Sequence, residues 1–263
     1  MSKKNRLGFN IGRRIDRPAY QDLNPFLFFI DNYTYQAGNP YLKPQYSNNV
    51  EISHTYNNFL TTTVNYSQTN NLMTETFQQQ GYATVVREGN IGRRNNAGIA
   101  MSAQVPVQKW WTVVLYSNYN YTSYSGMLNG EALSLQASNI LVNVNNQFKF
   151  SKGWSAELSG FYRSKGVDGQ IMIQPMGQVS NGVSKQVLNN KGSIRLNIRD
   201  MFFTQKVKGN MNFQQTEASF RNIRDSRVVN VTFTYRFGKP LKDVSQRRRG
   251  GAEEENRVKI GGN

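Results

Sequence analysis

Cysteine is absent from the 263 residues, which rules out both a disulfide framework and a thiolate metal site. Histidine is nearly absent. The single one, His54, lies in register with apolar Ile52 and Tyr56, so acid–base and nucleophilic catalysis lack the side chain they most often use, and no enzymatic activity is expected. No run of about 18 apolar residues occurs, so no transmembrane helix is encoded. The opening "MSKKNRLGFNIGRR" has a basic start but lacks the apolar run of a secretory signal, so an exported protein would need a signal that these residues do not supply. Glycine spacing of the G-x-G-x-x-G kind is missing, which leaves nucleotide binding without support. Carboxylates do not gather into a ligand set: Asp22 and Asp31 have no histidine beside them, and "EEE" at 253–255 stands in a polar end segment. Neither a metal nor a cofactor is expected.

Negative charge is the scarcer sign, with 16 Asp and Glu against 32 Lys and Arg and a formal net charge of +16. Such an excess invites a nucleic-acid reading, because phosphate contacts dominate that kind of binding. The distribution argues against it. Charges fall on strand-alternate and loop positions, with denser spots at "MSKKNR", "GRRIDR" and "QRRRGG", and no helix carries a basic stripe. No nucleic-acid partner is expected.

What the chain has in quantity is aromatic residues, 15 Phe and 14 Tyr, set in segments of strict alternation. In "VVNVTFTYRFG", Val229, Val231, Phe233, Tyr235 and Phe237 share one face, and Asn230, Thr232, Thr234 and Arg236 the other, because successive side chains of a strand point to opposite sides. Leu7, Phe9, Ile11 and Ile15 repeat the pattern, as do Val50, Ile52 and Tyr56; Leu60, Val64 and Tyr66; and Ala97, Ile99, Met101 and Val105. It continues through Trp111, Val113, Leu115, Tyr119 and Tyr121; Ile140, Val142, Val144 and Phe148; Ala156, Leu158 and Tyr162; and Ile194, Leu196 and Ile198. Residues 178–188 alternate more weakly, and "VKGNMNFQ" at 207–214 reads either as a strand top projecting past the others or as an eleventh strand.

About ten residues per segment exceeds the usual globular strand and suits a tilted strand crossing a bilayer. Connections alternate in length: long at 17–45, 70–92 and 201–225, medium at 124–136 and 165–177, tight at Asn57–Asn58, Pro106–Lys109, Ser151–Gly153 and Asn189–Gly192. That rhythm is expected of an outer-membrane barrel, with short periplasmic turns and long outer loops. Trp110, Trp111, Trp154, Tyr235 and Phe237 all fall at the short-turn end, where membrane-interface aromatics belong. Phe233, Tyr235 and Phe237 then face lipid. Arg14, Arg163, Arg195, Arg199 and Arg236 lie on the polar set, whereas Arg13 and Lys185 depart from it. The expectation is an all-β fold: an antiparallel transmembrane β-barrel segment of about ten strands, either an open curved sheet or part of a larger barrel. Residues 1–238 form the segment, and 239–263 read as a disordered periplasmic tail.

Several stretches carry a resemblance. "GRRIDRPAYQDLNPFLFFIDNYTYQAGNPYLKPQYSNNVEISHTY" (12–56), "EGNIGRRNNAGIAMSAQV", "NNKGSIRLNIRDMFF" and the terminal "YRFG" resemble the C-terminal barrel portion of TonB-dependent outer-membrane receptors, in particular the allied outer-membrane β-barrel protein family. The resemblance spans nearly the whole chain. It implies a cell outer-membrane location, a receptor barrel of about 22 strands with a plug, and ligand capture by loops 17–45, 70–92 and 201–225. Implied partners are outer-membrane lipid, the remainder of a larger barrel with its plug, the barrel assembly machinery and, indirectly, the TonB system. Neither plug nor TonB-contacting segment is found in this sequence, so the chain reads as a C-terminal fragment or truncated product. The motifs are architectural, so no ligand-binding residue is implied. A self-contained ten-strand pore or adhesin is the alternative.

Overall fold

The computed structural model describes residues 4–128, 130–213 and 216–237. Among them, ten strands form one sheet: β1 (Asn5–Asp16), β2 (Gln45–Tyr56), β3 (Leu60–Asn70), β4 (Arg93–Gln108), β5 (Trp111–Leu128), β6 (Glu131–Lys149), β7 (Trp154–Arg163), β8 (Met176–Val187), β9 (Gly192–Arg199) and β10 (Val228–Tyr235). Each pairs antiparallel with its neighbours in chain order. The outer edges of β1 and β10 do not pair with each other among the described residues.

Register explains why alternation specifies this sheet. One cross-strand row over β1 to β6 reads Phe9–Ile52–Val64–Ile99–Tyr119–Ile140, and another over β7 to β10 reads Ala156–Val183–Leu196–Val231. Every apolar face therefore lands on the same side, since a slip of one residue would turn a whole strand over. No protein layer covers it: Phe9 is 68% exposed and Val231 72%. An apolar surface spanning ten strands far exceeds the patches that water-facing monomers carry, so its solvent is lipid.

Asparagine shapes the tight ends. Asn57 and Asn58 both hold positive φ, as do Asn189 and Asn190, the left-handed geometry of short hairpin turns that Asn tolerates. One expected turn is displaced. The connection predicted at Pro106–Lys109 is strand up to Gln108, with a register shift between Pro106 and Gln108, because proline has no N–H for the ladder.

The longer connections are themselves folded. In 17–45, a helical turn at Tyr20–Leu23 precedes short strands Leu27–Phe29 and Thr34–Ala37. These join Met73–Gln80 and Ala83–Asn90 from 70–92 in a first outer sheet, through a parallel pairing of Thr34–Gln36 with Thr84–Val86. Gly166–Asp168 and Ile171–Ile173 join Lys206–Phe213 and Thr216–Ile223 in a second. The candidate eleventh wall strand at 207–214 is not one among the described residues: Lys206–Phe213 belongs to the second outer sheet. The medium loop expected at 124–136 is also corrected, because β5 and β6 stay paired up to Leu128 and Glu131.

Those extended hairpin ends hold buried apolar residues. Tyr124, Leu128 and Leu133 pack with Leu72, Ile91 and Val167, against partly buried Leu135, Ala137 and Met172. The backbones meet so closely that a Cβ on Gly126 would collide with the carbonyl of Ile91. Both outer sheets are therefore anchored to the β5–β6 hairpin.

Candidate functional site

The face opposite the apolar one is polar and concave. Its middle row reads Asn10–Glu51–Asn65–Gly98–Asn120–Asn139, and Gly98 lacks a side chain where the amides of Asn65 and Asn120 converge. A hydrogen-bonded track runs across it. Thr122 donates to Asn96 Oδ1 (2.9 Å), Asn96 Nδ2 to Asn120 Oδ1 (3.3 Å), Asn120 Nδ2 to Asn118 Oδ1 (2.8 Å) and Asn118 Nδ2 to the Tyr116 hydroxyl (3.2 Å).

The track joins two cavities. At its outer end, about 350 Å³ is bounded by Ser67, Arg94, Thr122, Tyr124, Arg163 and Asp168, among others. At its inner end, about 280 Å³ opens between Tyr116, Asn145, Phe161 and Gln178, drawing on β5 to β8, which is possible where a sheet curves. Asn145 donates to Glu157 Oε1 (2.6 Å), while its own buried Oδ1 has no partner. Glu157 Oε2 meets Arg195 at 2.8 Å, and Arg195 Nε donates to Asn197. Buried charge is costly unless paired, so this pairing on the concave wall is what half-sheltered charges require.

The polar-set arginines follow the register. Arg14, Arg163, Arg195 and Arg199 share the concave side of their strands, while the two departures stand on the apolar side beside aromatic rings. Arg13 lies 5.5 Å from the Tyr46 ring centroid and Lys185 Nζ 5.0 Å from that of Trp154, the latter also donating to the Lys152 carbonyl. Strand ends with a ring nearby are where a long cation can extend to the polar boundary.

The named aromatics do cluster at the short-turn end. Trp110, Trp111, Phe148 and Phe150 form a stack with neighbouring centroids 6.0–6.2 Å apart, and Trp111 Nε1 donates to Asn146 Oδ1. Trp154 begins β7, Tyr235 opposes Gly192, and Phe237 is 88% exposed beyond β10. His54, at the same end, bonds Asn5 Oδ1 at 2.9 Å. Reading from sequence overlooked a matching set at the other end. Tyr66, Tyr119 and Tyr121 lie on the apolar face, with their hydroxyls bonded to Asn95, Ser138 and Gln136. Their distance from the short turns was the available signal.

The outer connections contribute two further spaces. One of about 680 Å³ lies among Gln21, Asp22, Asn24, Phe26, Phe28 and Glu88, and one of about 490 Å³ among Arg199, Gln205, Phe220, Asn222 and Arg224. Asp200 closes the 201–225 connection and is fully buried. Its carboxylate accepts from Thr204 N–H (2.9 Å), Thr204 hydroxyl (3.2 Å), Gln205 N–H (3.1 Å) and the Ser226 hydroxyl. Burial alone would raise its pKa, but bonds from Ser226, Thr204 and Gln205 hold it below the ordinary carboxylate value. Among the described residues, no three His, Cys, Asp or Glu side chains gather as metal ligands.

A lipid-facing apolar surface, a polar concave one, short turns at one end and folded connections at the other define the wall of an outer-membrane barrel. The sequence profile of the outer membrane protein beta-barrel family matches residues 1–235, and the chain belongs to that family, in the cell outer membrane. No curated protein sequence matches it. Among solved structures it is similar to the siderophore receptor PirA from Pseudomonas aeruginosa, at 13% identity and TM-score 0.61 over 89% of this chain and 40% of that one. It is also similar to a mutant of the ferric enterobactin receptor PfeA of the same organism, solved in complex with enterobactin, at 16% identity and TM-score 0.54 over 89% of this chain and 39% of that one. At these identities the likeness is one of fold. The chain spans about two fifths of the length of either receptor.

Proposed function

We propose that this chain is the C-terminal part of a TonB-dependent receptor barrel, supplying membrane wall and extracellular loops for ligand capture, and that it is not an enzyme. The observation that carries the reading is the pair of edges on β1 and β10 that stay unjoined among the described residues. In hydrocarbon, unpaired backbone groups cost several kcal/mol each, so strands from the remainder of a larger barrel are the expected neighbours. The length ratio to the two receptors supports this. A plug within that barrel, the assembly machinery that inserts it and, indirectly, the TonB system complete the partners. Residues up to 237 act as wall and outer loops; the periplasmic tail expected at 239–263 lies outside the described residues.

Trp110, Trp111, Trp154, Tyr235 and Phe237 mark the periplasmic interface, and Tyr66, Tyr119 and Tyr121 the outer one. Trp111 and Tyr121 are ten positions apart on β5, about 33 Å of strand and about 25 Å of height at a tilt of about 40°, the height of a barrel's apolar band.

Cysteine labelling from outside intact cells tests the topology in the full-length protein. Tyr82→Cys, at the exposed tip of the Met73–Asn90 hairpin, is expected to label and Asn190→Cys to remain protected. Labelling at 190 but not at 82 would invert the reading.

A further inference from the structure

We propose that the outer cavity of the concave face binds an oxyanion group, a carboxylate or phosphate, between Arg94 and Arg163. The proposal rests on the receptor reading and names the chemistry its route accepts. Register makes the first half of the site. Arg14, Ser47, Thr69, Arg94 and Tyr124 form one cross-strand row on the concave side, with the Ser47 and Thr69 hydroxyls bonded to each other at 3.0 Å. Arg163, at the end of β7, completes it from across the cavity.

Three properties point to an anion. First, the two guanidiniums lack carboxylate partners among the described residues: Arg94 makes one long contact, 3.5 Å to Thr69 Oγ1, whereas Arg195 is paired with Glu157. Each guanidinium carries five N–H donors in a fork suited to carboxylate or phosphate, and most stay unused. Second, the other lining groups include the hydroxyls of Ser67 and Tyr124 and the remaining amide N–H of Asn96, all able to donate, while the Thr122 hydroxyl is spent on Asn96 Oδ1. The carboxylate in the lining, Asp168, is exposed at the end of the short strand Gly166–Asp168 and leaves the pair of cations in excess. Third, the site is sheltered. Val167 and Tyr124, both buried in the apolar cluster, form part of its lining, and both arginines are half-buried, so an ion pair formed there acts through less water than one at the surface. About 350 Å³ admits a small organic polyacid, or the acidic end of a larger ligand. A cation is a poorer fit, since one exposed carboxylate faces two guanidiniums.

Gly166 lies directly over Arg163. A Cβ there would sit 3.7 Å from Arg163 Nη2 and 3.2 Å from Asn139 Nδ2, so a larger residue would displace the Arg163 guanidinium while keeping both positive charges.

The test titrates full-length protein, extracted from outer membranes into detergent at low salt, with citrate and with inorganic phosphate by calorimetry. At least one anion is expected to bind, with affinity reduced at least tenfold in Arg94→Gln and in Arg163→Gln and unchanged in Arg93→Gln, on the opposite face of the same strand. Arg94→Lys should fall between, because it keeps the charge and loses the fork. Gly166→Val should weaken binding as well, and it decides the matter should an arginine variant fail to assemble, as judged by heat-dependent gel mobility. Stronger citrate binding identifies a polyacid site, and stronger phosphate binding a site for the free inorganic ion. No binding of either anion by assembled wild-type protein, or equal binding in assembled Arg94→Gln, overturns the site. Failure of the receptor reading shows separately, in the labelling pattern at residues 82 and 190.

Discussion

Gln170 Oε1 accepts a hydrogen bond from the backbone N–H of Phe77 at 3.0 Å, tying the turn between Gly166–Asp168 and Ile171–Ile173 to the first outer sheet. Gln170 is 3% exposed, so truncation would leave the Phe77 N–H with no replacement acceptor, a cost of about 1–3 kcal/mol. Gln170→Ala is therefore expected to loosen the outer sheets while leaving the wall assembled. Limited proteolysis of intact cells should cut the Met73–Asn90 region at least severalfold faster. An unchanged rate would mean that the apolar cluster alone holds the sheets together.

The two faces of β10 predict opposite tolerance. Val231→Arg puts a cation on the lipid face, at a cost of about 2–4 kcal/mol near the midplane, whereas Thr232→Arg puts it on the concave face. Outer-membrane yield should fall for the first and hold for the second. Comparable yields would refute the face assignment.

Asp200 makes the 201–225 connection sensitive to acid. Hydrogen bonding holds its folded pKa below the unfolded value, so its contribution is complete above the unfolded pKa, about 3.9, and is lost as pH falls through the lower folded one. Protease accessibility of 201–225 should be low at neutral pH and rise only under strong acid. Asp200→Ala should show the acid behaviour at pH 7, having removed the acceptor of four bonds. Protection of this variant at pH 7 would show that the connection is held by other contacts.

Expressed alone, residues 1–263 are expected not to form a closed ring. Joining β1 to β10 would tighten the curvature and change the stagger along the sheet, since strand number, tilt and shear are linked. Refolding into detergent should give aggregate or an open sheet with no heat-dependent mobility. A compact, heat-modifiable species that conducts in planar bilayers would instead establish a self-contained ten-strand pore.

The wall was legible because period-2 patterning is imposed twice, by lipid on one side and by water or polypeptide on the other. Even weakly patterned 178–188 lies in β8 as far as Val187, and its Val183 takes its place in the apolar row. The outer sheets were not legible. "MTETFQQQ" has only Met73 and Phe77 as apolar residues and reads as loop, and it becomes strand through pairing with Ala83–Asn90. The 124–136 stretch misled for a related reason. Gly126 serves the close approach of the Ile91 backbone, and Leu128 and Leu133 find their core in residues from remote loops. The arginine cavity lay beyond sequence reading because Arg94 and Arg163 stand on β4 and β7 and meet through the curvature of the strands between them.

The anchoring of both outer sheets to one hairpin also sorts positions by their freedom to drift under immune or phage pressure. Tyr82 is 94% exposed beside Gly81 at a turn with positive φ, so this tip can exchange residues, or carry an inserted epitope, without disturbing any packed neighbour. Gly126 has no such latitude, because even a methyl group would strike the Ile91 carbonyl. Antigenic variation should therefore collect at the hairpin tip while the mast beneath stays invariant, and antibodies raised against the tip should discriminate strains where those raised against the mast cross-react.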